Sequence, residues 1–196
     1  MGGNPSTSDD RCTADATSAQ AGADVWVFAY GSLMWRPDFE HAEVRPARLL
    51  GWHRSMCILS THYRGTPDRP GLVLGLDRGG SCLGRAFRVD GRQWPQVRDL
   101  LHARELITGV YLPRFLPVTL DDHRRVPAYA FIVDRDHRQY FAGPADEAAR
   151  LILQGAGPMG TSRDYLASTL AHMDELGVRA GALHRLLARV DRLAGT

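Results

Sequence analysis

Apolar and polar positions along the chain fall into short runs separated by glycine, proline and acidic turns. Residues 25–29 (VWVFA) are an unbroken apolar, β-branched and aromatic run, the composition of a buried strand. The run breaks at Tyr30-Gly31-Ser32, where glycine lets the backbone turn and approach a ligand closely. Residues 35–39 (WRPDF) read as a turn. Residues 47–60 predict a long strand, bent at Gly51, and the Pro- and Gly-punctuated segment 61–71 predicts a loop. Residues 72–76 and 82–89 predict the two arms of a hairpin turning at Asp77-Arg78-Gly79-Gly80. Over 93–106, Val97, Leu100, Leu101 and Leu106 fall on one face of a helix. Two further strands, 112–120 and 125–133, are joined by the polar turn Asp121-Asp122-His123. The tail predicts helices over 146–153, 162–176 and 180–193, the second capped by Ser162 and stopped by Gly177.

Many short strands, one helix in the middle and helices at the end predict an α+β fold. The best fit is a small, mixed or antiparallel β-barrel flanked by helices. There is neither a βαβ alternation nor a Gly-x-Gly-x-x-Gly turn, which argues against a doubly wound nucleotide fold. Residues 1–24, rich in Gly, Ser, Thr, Ala and Asp, carry no apolar periodicity and predict a disordered leader. Residues 25–196 contain no linker and predict a single domain. No basic stretch followed by an apolar run marks a secretory signal, and no window is long enough for a membrane span, so a cytoplasmic location is expected.

Composition narrows the chemistry. A formal net charge of +2 argues against a nucleic-acid footprint or an anionic membrane surface. All 24 basic residues are arginine. The absence of lysine excludes a Walker-type phosphate loop, Schiff-base chemistry and pyridoxal phosphate attachment, each of which needs a lysine amine. Cys12, Cys57 and Cys82 are widely spaced and suggest free thiols, neither a disulfide framework nor a zinc site.

Two features carry candidate chemistry. A strand ending in a small-residue turn can present several N–H groups to one carboxylate or phosphate, although a plain turn explains the same residues. Glu105 sits at the end of the central helix, where the dipole disfavours its carboxylate; if buried in a cleft, the carboxyl is poised as a proton shuttle. The alternative is an exposed glutamate paired with Arg104 or His102. His53 and His62 flank Cys57 and invite a Cys–His nucleophile, but Cys57 lies in an apolar strand, where a thiol behaves as a small hydrophobe. Ser32 lacks the Gly-x-Ser-x-Gly elbow of a hydrolase. His172-Met173-Asp174-Glu175 lacks metal-ligand spacing, and no metal is expected.

The motifs in order carry more than any one alone. They run Trp26-Val27-Phe28-Ala29-Tyr30-Gly31-Ser32-Leu33-Met34-Trp35, Gly51-Trp52-His53-Arg54, Arg64-Gly65-Thr66-Pro67, Arg104-Glu105-Leu106-Ile107-Thr108-Gly109-Val110-Tyr111-Leu112-Pro113, Ala156-Gly157-Pro158-Met159-Gly160-Thr161 and Tyr165-Leu166. This string resembles the ChaC family of glutathione-specific γ-glutamylcyclotransferases, its bacterial branch most of all, over about residues 25–192. The resemblance implies a γ-glutamylcyclotransferase-like fold and cleavage of glutathione to 5-oxoproline and cysteinylglycine without a cofactor. It implies that Val27, Phe28, Ala29, Tyr30, Gly31, Ser32 and Leu33 bind the γ-glutamyl group, that Glu105 is catalytic and that Tyr165 belongs to the pocket. Ala29 stands where many relatives have glycine, a change tolerated if φ there is negative. Cyclisation of other γ-glutamyl amino acids or amines, and non-catalytic γ-glutamyl binding, remain the alternatives.

Overall fold

The computed structural model describes residues 22–195, so most of the expected leader, Cys12 included, lies outside the described residues. Five strands form the body of the fold: β1 (Val25–Ala29), β2 (Glu43–Ser60), β3 (Gly71–Val89), β4 (Tyr111–Leu120) and β5 (Arg125–Val133). They close into a barrel in the order β1-β3-β2-β4-β5. All contacts are antiparallel except the closing one, where β1 runs parallel to β5. The expected mixed barrel is therefore present. Helix α1 (Trp94–Glu105) follows β3, and α2 (Ala145–Gln154), α3 (Ser162–Glu175) and α4 (Gly181–Ala194) come after the barrel. No helix among the described residues is long and apolar enough to cross a membrane.

Period-two alternation makes β1 the shared wall of two cores. Trp26 and Phe28 pack with Leu49, Leu76, Ala86 and Ala130 of the other strands. Val27 and Ala29 point the other way, into a cluster that contains Ile152 of α2, Leu166 and Met173 of α3 and Val190 of α4. A strand buried on both faces has to be apolar throughout, which is why 25–29 lacks the polar alternation of a half-exposed strand.

The structure corrects two expectations. Residues 72–76 and 82–89 are not arms of a hairpin but parts of one strand, β3, paired with β2 along its length. At Asp77–Gly80 the chain bulges instead of reversing. Leu50 pairs with Ser81 and Trp52 with Arg78, so Gly51 alone (φ +80°) opposes Gly79 (φ +102°) and Gly80 (φ +67°). The true reversal is the loop 61–70, which joins Ser60 to its partner Gly71. The cap of α3 is Thr161, whose Oγ1 accepts the Asp164 N–H at 2.9 Å, and not Ser162. Ser162 is fully buried and its hydroxyl bridges the main chain of Leu72, accepting from the N–H at 3.0 Å and donating to the C=O at 2.5 Å. The turn at 35–39 is preceded by a 3-10 turn, Ser32–Met34, that the pattern did not reveal.

Close main-chain packing holds the tail to this loop. A Cβ on Gly155 would lie 2.3 Å from Gly71 Cα, so only glycine lets the segment after α2 approach the start of β3. The Met159 N–H donates to the Tyr63 C=O at 3.0 Å and Arg64 donates to the Met159 C=O, which fixes the short β6–β7 ribbon (Ala156–Gly157 and Gly160–Thr161) against the loop.

Candidate active site

The break after β1 opens onto a cavity. Tyr30, Gly31, Ser32 and Leu33 line a narrow inner chamber of about 50 Å³, together with Phe28, Leu74, Phe131 and the side chains of Glu105, Tyr111 and Tyr165. Ser32, Glu105, Tyr111 and Tyr165 also line a wider outer chamber of about 340 Å³. The outer walls come from the loop after β2 (His62, Tyr63, Arg64), from Ile107 and Thr108 beyond α1, and from Met159.

The turn offers donors to this space. The 3-10 turn uses the carbonyls of Gly31 and Ser32, which accept from Met34 and Arg36 at 2.9 and 2.8 Å. The N–H groups of Gly31, Ser32 and Leu33 have no protein acceptor among the described residues. Successive free N–H groups at the start of a helical turn make an anion-binding concavity. Glycine is also the residue the space permits: a Cβ on Gly31 would come within 3.3 Å of Leu74 Cδ2. Ala29 does not have a positive φ, so its methyl is accommodated within β1.

Glu105 is the last residue of α1, and its side chain is only 20% exposed. Burial pushes its carboxyl above the usual carboxylate range, and the Arg104 guanidinium, with Nε 3.2 Å from Oε1, pulls the other way without cancelling the effect. Both sequence readings of this residue are thus partly realised: it is buried in a cleft, and it is paired with Arg104. Arg104 reaches further, donating to Ser32 Oγ at 2.8 Å, to Asp38 Oδ2 at 2.8 Å and to the Arg36 C=O at 3.0 Å. One guanidinium therefore ties the carboxyl to the turn and to the segment that follows it. His102 is not a partner of Glu105; its Nε2 lies 2.6 Å from the Tyr129 hydroxyl.

Three phenols surround the carboxyl. Burial and the neighbouring carboxylate raise Tyr30 and Tyr111 well above the ordinary tyrosine value, and burial pushes Tyr165 up to about 12. At neutral pH all three are therefore neutral hydroxyls, able to donate but not to act as bases. Tyr111 donates to the Leu74 C=O at 2.6 Å, and the Tyr165 oxygen meets the Leu74 N–H. Beyond its pairing with β1 at residues 85–89, the outer edge of β3 has no strand partner, and the Tyr111, Tyr165 and Ser162 hydroxyls satisfy its main chain at Leu72 and Leu74. The guanidinium of Arg64 lies 5.3 Å from the centre of the Tyr165 ring.

Of the residues singled out from the sequence, Phe28, Tyr30, Gly31, Ser32, Leu33, Glu105 and Tyr165 meet at one cavity. Val27 and Ala29 do not line it; they pack in the core beneath the helices. Arg104, Tyr111 and Leu74 were missed as site residues. Tyr111 stands inside a quoted motif, and its place next to the Gly109 break, at the start of a strand, was the available signal. Cys57 is buried and its thiol is pushed up to about 12, so it is no nucleophile; His53 is turned to the Gly79 main-chain oxygen 3.0 Å away. His172 stacks on Trp35 with ring centres 4.5 Å apart.

Known proteins share this plan. The family model described as ChaC-like protein matches residues 25–193. The chain is 42% identical over 170 residues to the glutathione-specific gamma-glutamylcyclotransferase of Escherichia coli (strain K12), covering 86% of this chain and 74% of that protein. It is 33% identical over 174 residues to glutathione-specific gamma-glutamylcyclotransferase 1 of Homo sapiens, covering 85% and 77%. Among solved structures, a yeast gamma glutamyl cyclotransferase specific to glutathione superposes with a TM-score of 0.77 at 21% identity, over 87% of this chain and 99% of that one. That likeness establishes the same fold.

Proposed function

The chain belongs to the ChaC-like family, and we propose that it is a γ-glutamylcyclotransferase that cleaves reduced glutathione to 5-oxoproline and cysteinylglycine. The observation that carries this reading is the pairing, on one cavity, of a buried carboxyl with a turn that has free N–H groups. It is reinforced by relatives named for that activity on both sides of a wide evolutionary divide.

The chemistry follows from the geometry. The substrate's α-amine attacks its own γ-carbonyl, so both reacting groups arrive already tethered, and the site has only to fold the γ-glutamyl arm into an attacking conformer. The N–H groups of Gly31, Ser32 and Leu33 hold the α-carboxylate in the inner chamber, while the cysteinylglycine portion extends into the outer one, whose 340 Å³ is in the range of small-molecule sites. Glu105 takes a proton from the α-ammonium. The amine nitrogen then bonds to the γ-carbon, and Glu105 gives the proton it holds to the cysteine nitrogen as the bond from the γ-carbon to that nitrogen breaks. The second proton that the attacking nitrogen sheds on becoming a lactam N–H passes through the same carboxylate to the released amine, which leaves as an ammonium. One carboxyl serves both steps because the proton taken in the first is needed in the second. A raised pKa suits this work, since a carboxyl of ordinary acidity holds a proton too weakly to collect it from an ammonium. No water enters the products, so the reaction is a lyase-type ring closure, and no step calls for a cofactor.

The test is to incubate the purified protein with reduced glutathione and follow the products by mass spectrometry. Equal amounts of 5-oxoproline and cysteinylglycine are expected. Glutamate in place of 5-oxoproline overturns the cyclisation, and untouched glutathione with turnover of another γ-glutamyl amino acid or amine moves the assignment to that substrate class.

A further inference from the structure

One motif of the chain has no part in the reaction described so far: Gly51-Trp52-His53-Arg54. Before Gly51 the buried residues of β2 are Ala47 and Leu49, at odd positions. The bulge of β3 at Gly79 and Gly80 shifts the register opposite Gly51, which has φ +80°, and beyond it Trp52 packs on the cluster that holds Ala47 and Leu49. A bulge breaks the ladder locally, increases the twist and re-aims the side chains beside it, and the left-handed Gly51 interrupts the alternation of β2 itself. Arg54, two residues further on, is accordingly carried inward.

Its guanidinium there donates through Nε to the Tyr30 C=O and through an Nη to the Leu83 C=O, and lies 3.6 Å from Met34 Sδ. No carboxylate among the described residues forms an ion pair with it. Burial pulls its pKa down, whereas Arg45, Arg88 and Arg135, which have carboxylate partners, are raised. A largely desolvated cation whose oxygen partners are all main-chain carbonyls is costly unless an anion complements it.

The position of that anion follows from the planarity of a single peptide. The Tyr30 C=O and the Gly31 N–H belong to the same trans unit, so they point in opposite directions. With the carbonyl held by Arg54, the N–H is directed away from Arg54, and Gly31 lines the inner chamber while Arg54 does not. The charge of the guanidinium polarises this peptide and strengthens the N–H as a donor, because linked hydrogen bonds reinforce one another. Resting on the cyclotransferase reading above, we infer that Arg54 is a positioning residue that, through the Tyr30–Gly31 peptide, secures the α-carboxylate of the γ-glutamyl group.

The experiment compares glutathione with 4-aminobutyryl-cysteinylglycine, which has the same amine, the same amide and the same leaving dipeptide but no α-carboxylate, and would close to 2-pyrrolidinone. Arg54→Gln is expected to raise KM for glutathione about tenfold or more with kcat nearly unchanged, the pattern for an interaction made equally in ground and transition states. Arg54→Lys, which keeps the charge, should restore part of that loss. The slow turnover of the decarboxylated analogue should be the same in all three proteins. A fall in kcat at constant KM, or an equal loss on both substrates, overturns the assignment to the α-carboxylate. For the wild-type protein, which requires no variant to fold, nitrogen-15 NMR gives a second reading. 5-Oxoproline should shift both the Gly31 amide and the Arg54 Nε–H resonances, and 2-pyrrolidinone neither; an Arg54 resonance unmoved by 5-oxoproline refutes the coupling. Wild-type glutathione turnover is measured alongside. Its absence overturns the cyclotransferase reading alone, while the NMR arm still decides on Arg54.

Discussion

Replacing Ser162 with alanine removes one hydroxyl and leaves two main-chain groups without partners. The Leu72 N–H, 3.0 Å from Oγ, and the Leu72 C=O, 2.5 Å from it, both belong to a residue with no exposed surface, on the edge of β3 that no strand covers. An orphaned buried polar group costs about 1–3 kcal/mol. Two of them give about 2–6 kcal/mol, from which the relief of no longer burying the hydroxyl subtracts about 1 kcal/mol. We therefore expect Ser162→Ala to lose about 3 kcal/mol. For a protein of this length each 1 kcal/mol lowers Tm by about 2–4 °C, so the fall should be about 6–12 °C. Urea unfolding should show a lower midpoint at an unchanged slope, which marks lost stability in the native state and not a change in the unfolded one. Hydrogen exchange at the Leu72 amide should accelerate more than at amides in the middle of the barrel. Because Ser162 and Tyr165 lie on the same face of α3 and both bind β3, the variant should also raise KM for glutathione. A loss under about 1 kcal/mol would refute the reasoning, since it would mean that Leu72 finds other partners or that the hydroxyl bridge contributes little.

Three more outcomes follow from the site. Glu105→Gln should lower turnover of glutathione by about 10²–10⁴ while substrate still binds; as the folded-state pKa of Glu105 is raised, its stabilising contribution is present at low pH and lost as pH rises, so the variant should have the higher Tm at pH 7 and no advantage at pH 4. Arg104→Met should move the acid limb of the kcat/KM profile to higher pH, because the guanidinium is what pulls the carboxyl down against burial among Tyr30, Tyr111 and Tyr165. Asp38→Asn, which frees Arg104 of its other carboxylate, should move that limb the opposite way; limbs that stay in place in both variants would remove Glu105 as the titrating base. Cys57 and Cys82, with thiols at about 12 and about 11, should resist iodoacetamide at pH 8 in the native protein and be alkylated after denaturation, as peptide mapping would read.

Several parts of this protein were determined by the sequence within short windows. The apolar run 25–29 and its break at Tyr30-Gly31-Ser32 specify a buried strand and a turn because both depend on neighbouring residues only. The end of α1 at Arg104-Glu105, before a glycine at φ +73°, is local for the same reason, as are β4, β5 and the helices of the tail. The ordered motifs, read as a family resemblance, brought the turn, Glu105 and Tyr165 together before any contact was visible.

Tertiary structure decided the rest. Asp77-Arg78-Gly79-Gly80 has the composition of a hairpin turn, yet it continues as one strand, because β2 lies opposite with Gly51 facing the two glycines and supplies partners on both sides of the bulge. Ser162 is spaced like a helix cap, but burial against Leu72 gives it a different task. The acidity of Glu105 is set by how deeply the cavity buries it and by where Arg104 is held, and Asp38 and Ser32, 66 and 72 residues away in the chain, fix the latter. The role inferred for Arg54 depends on a bulge, a barrel closure and a single peptide plane meeting at one point. A residue's conformational preference is a property of its neighbours in the chain. Its charge state and its partners are properties of its neighbours in space, and the fold brings those together.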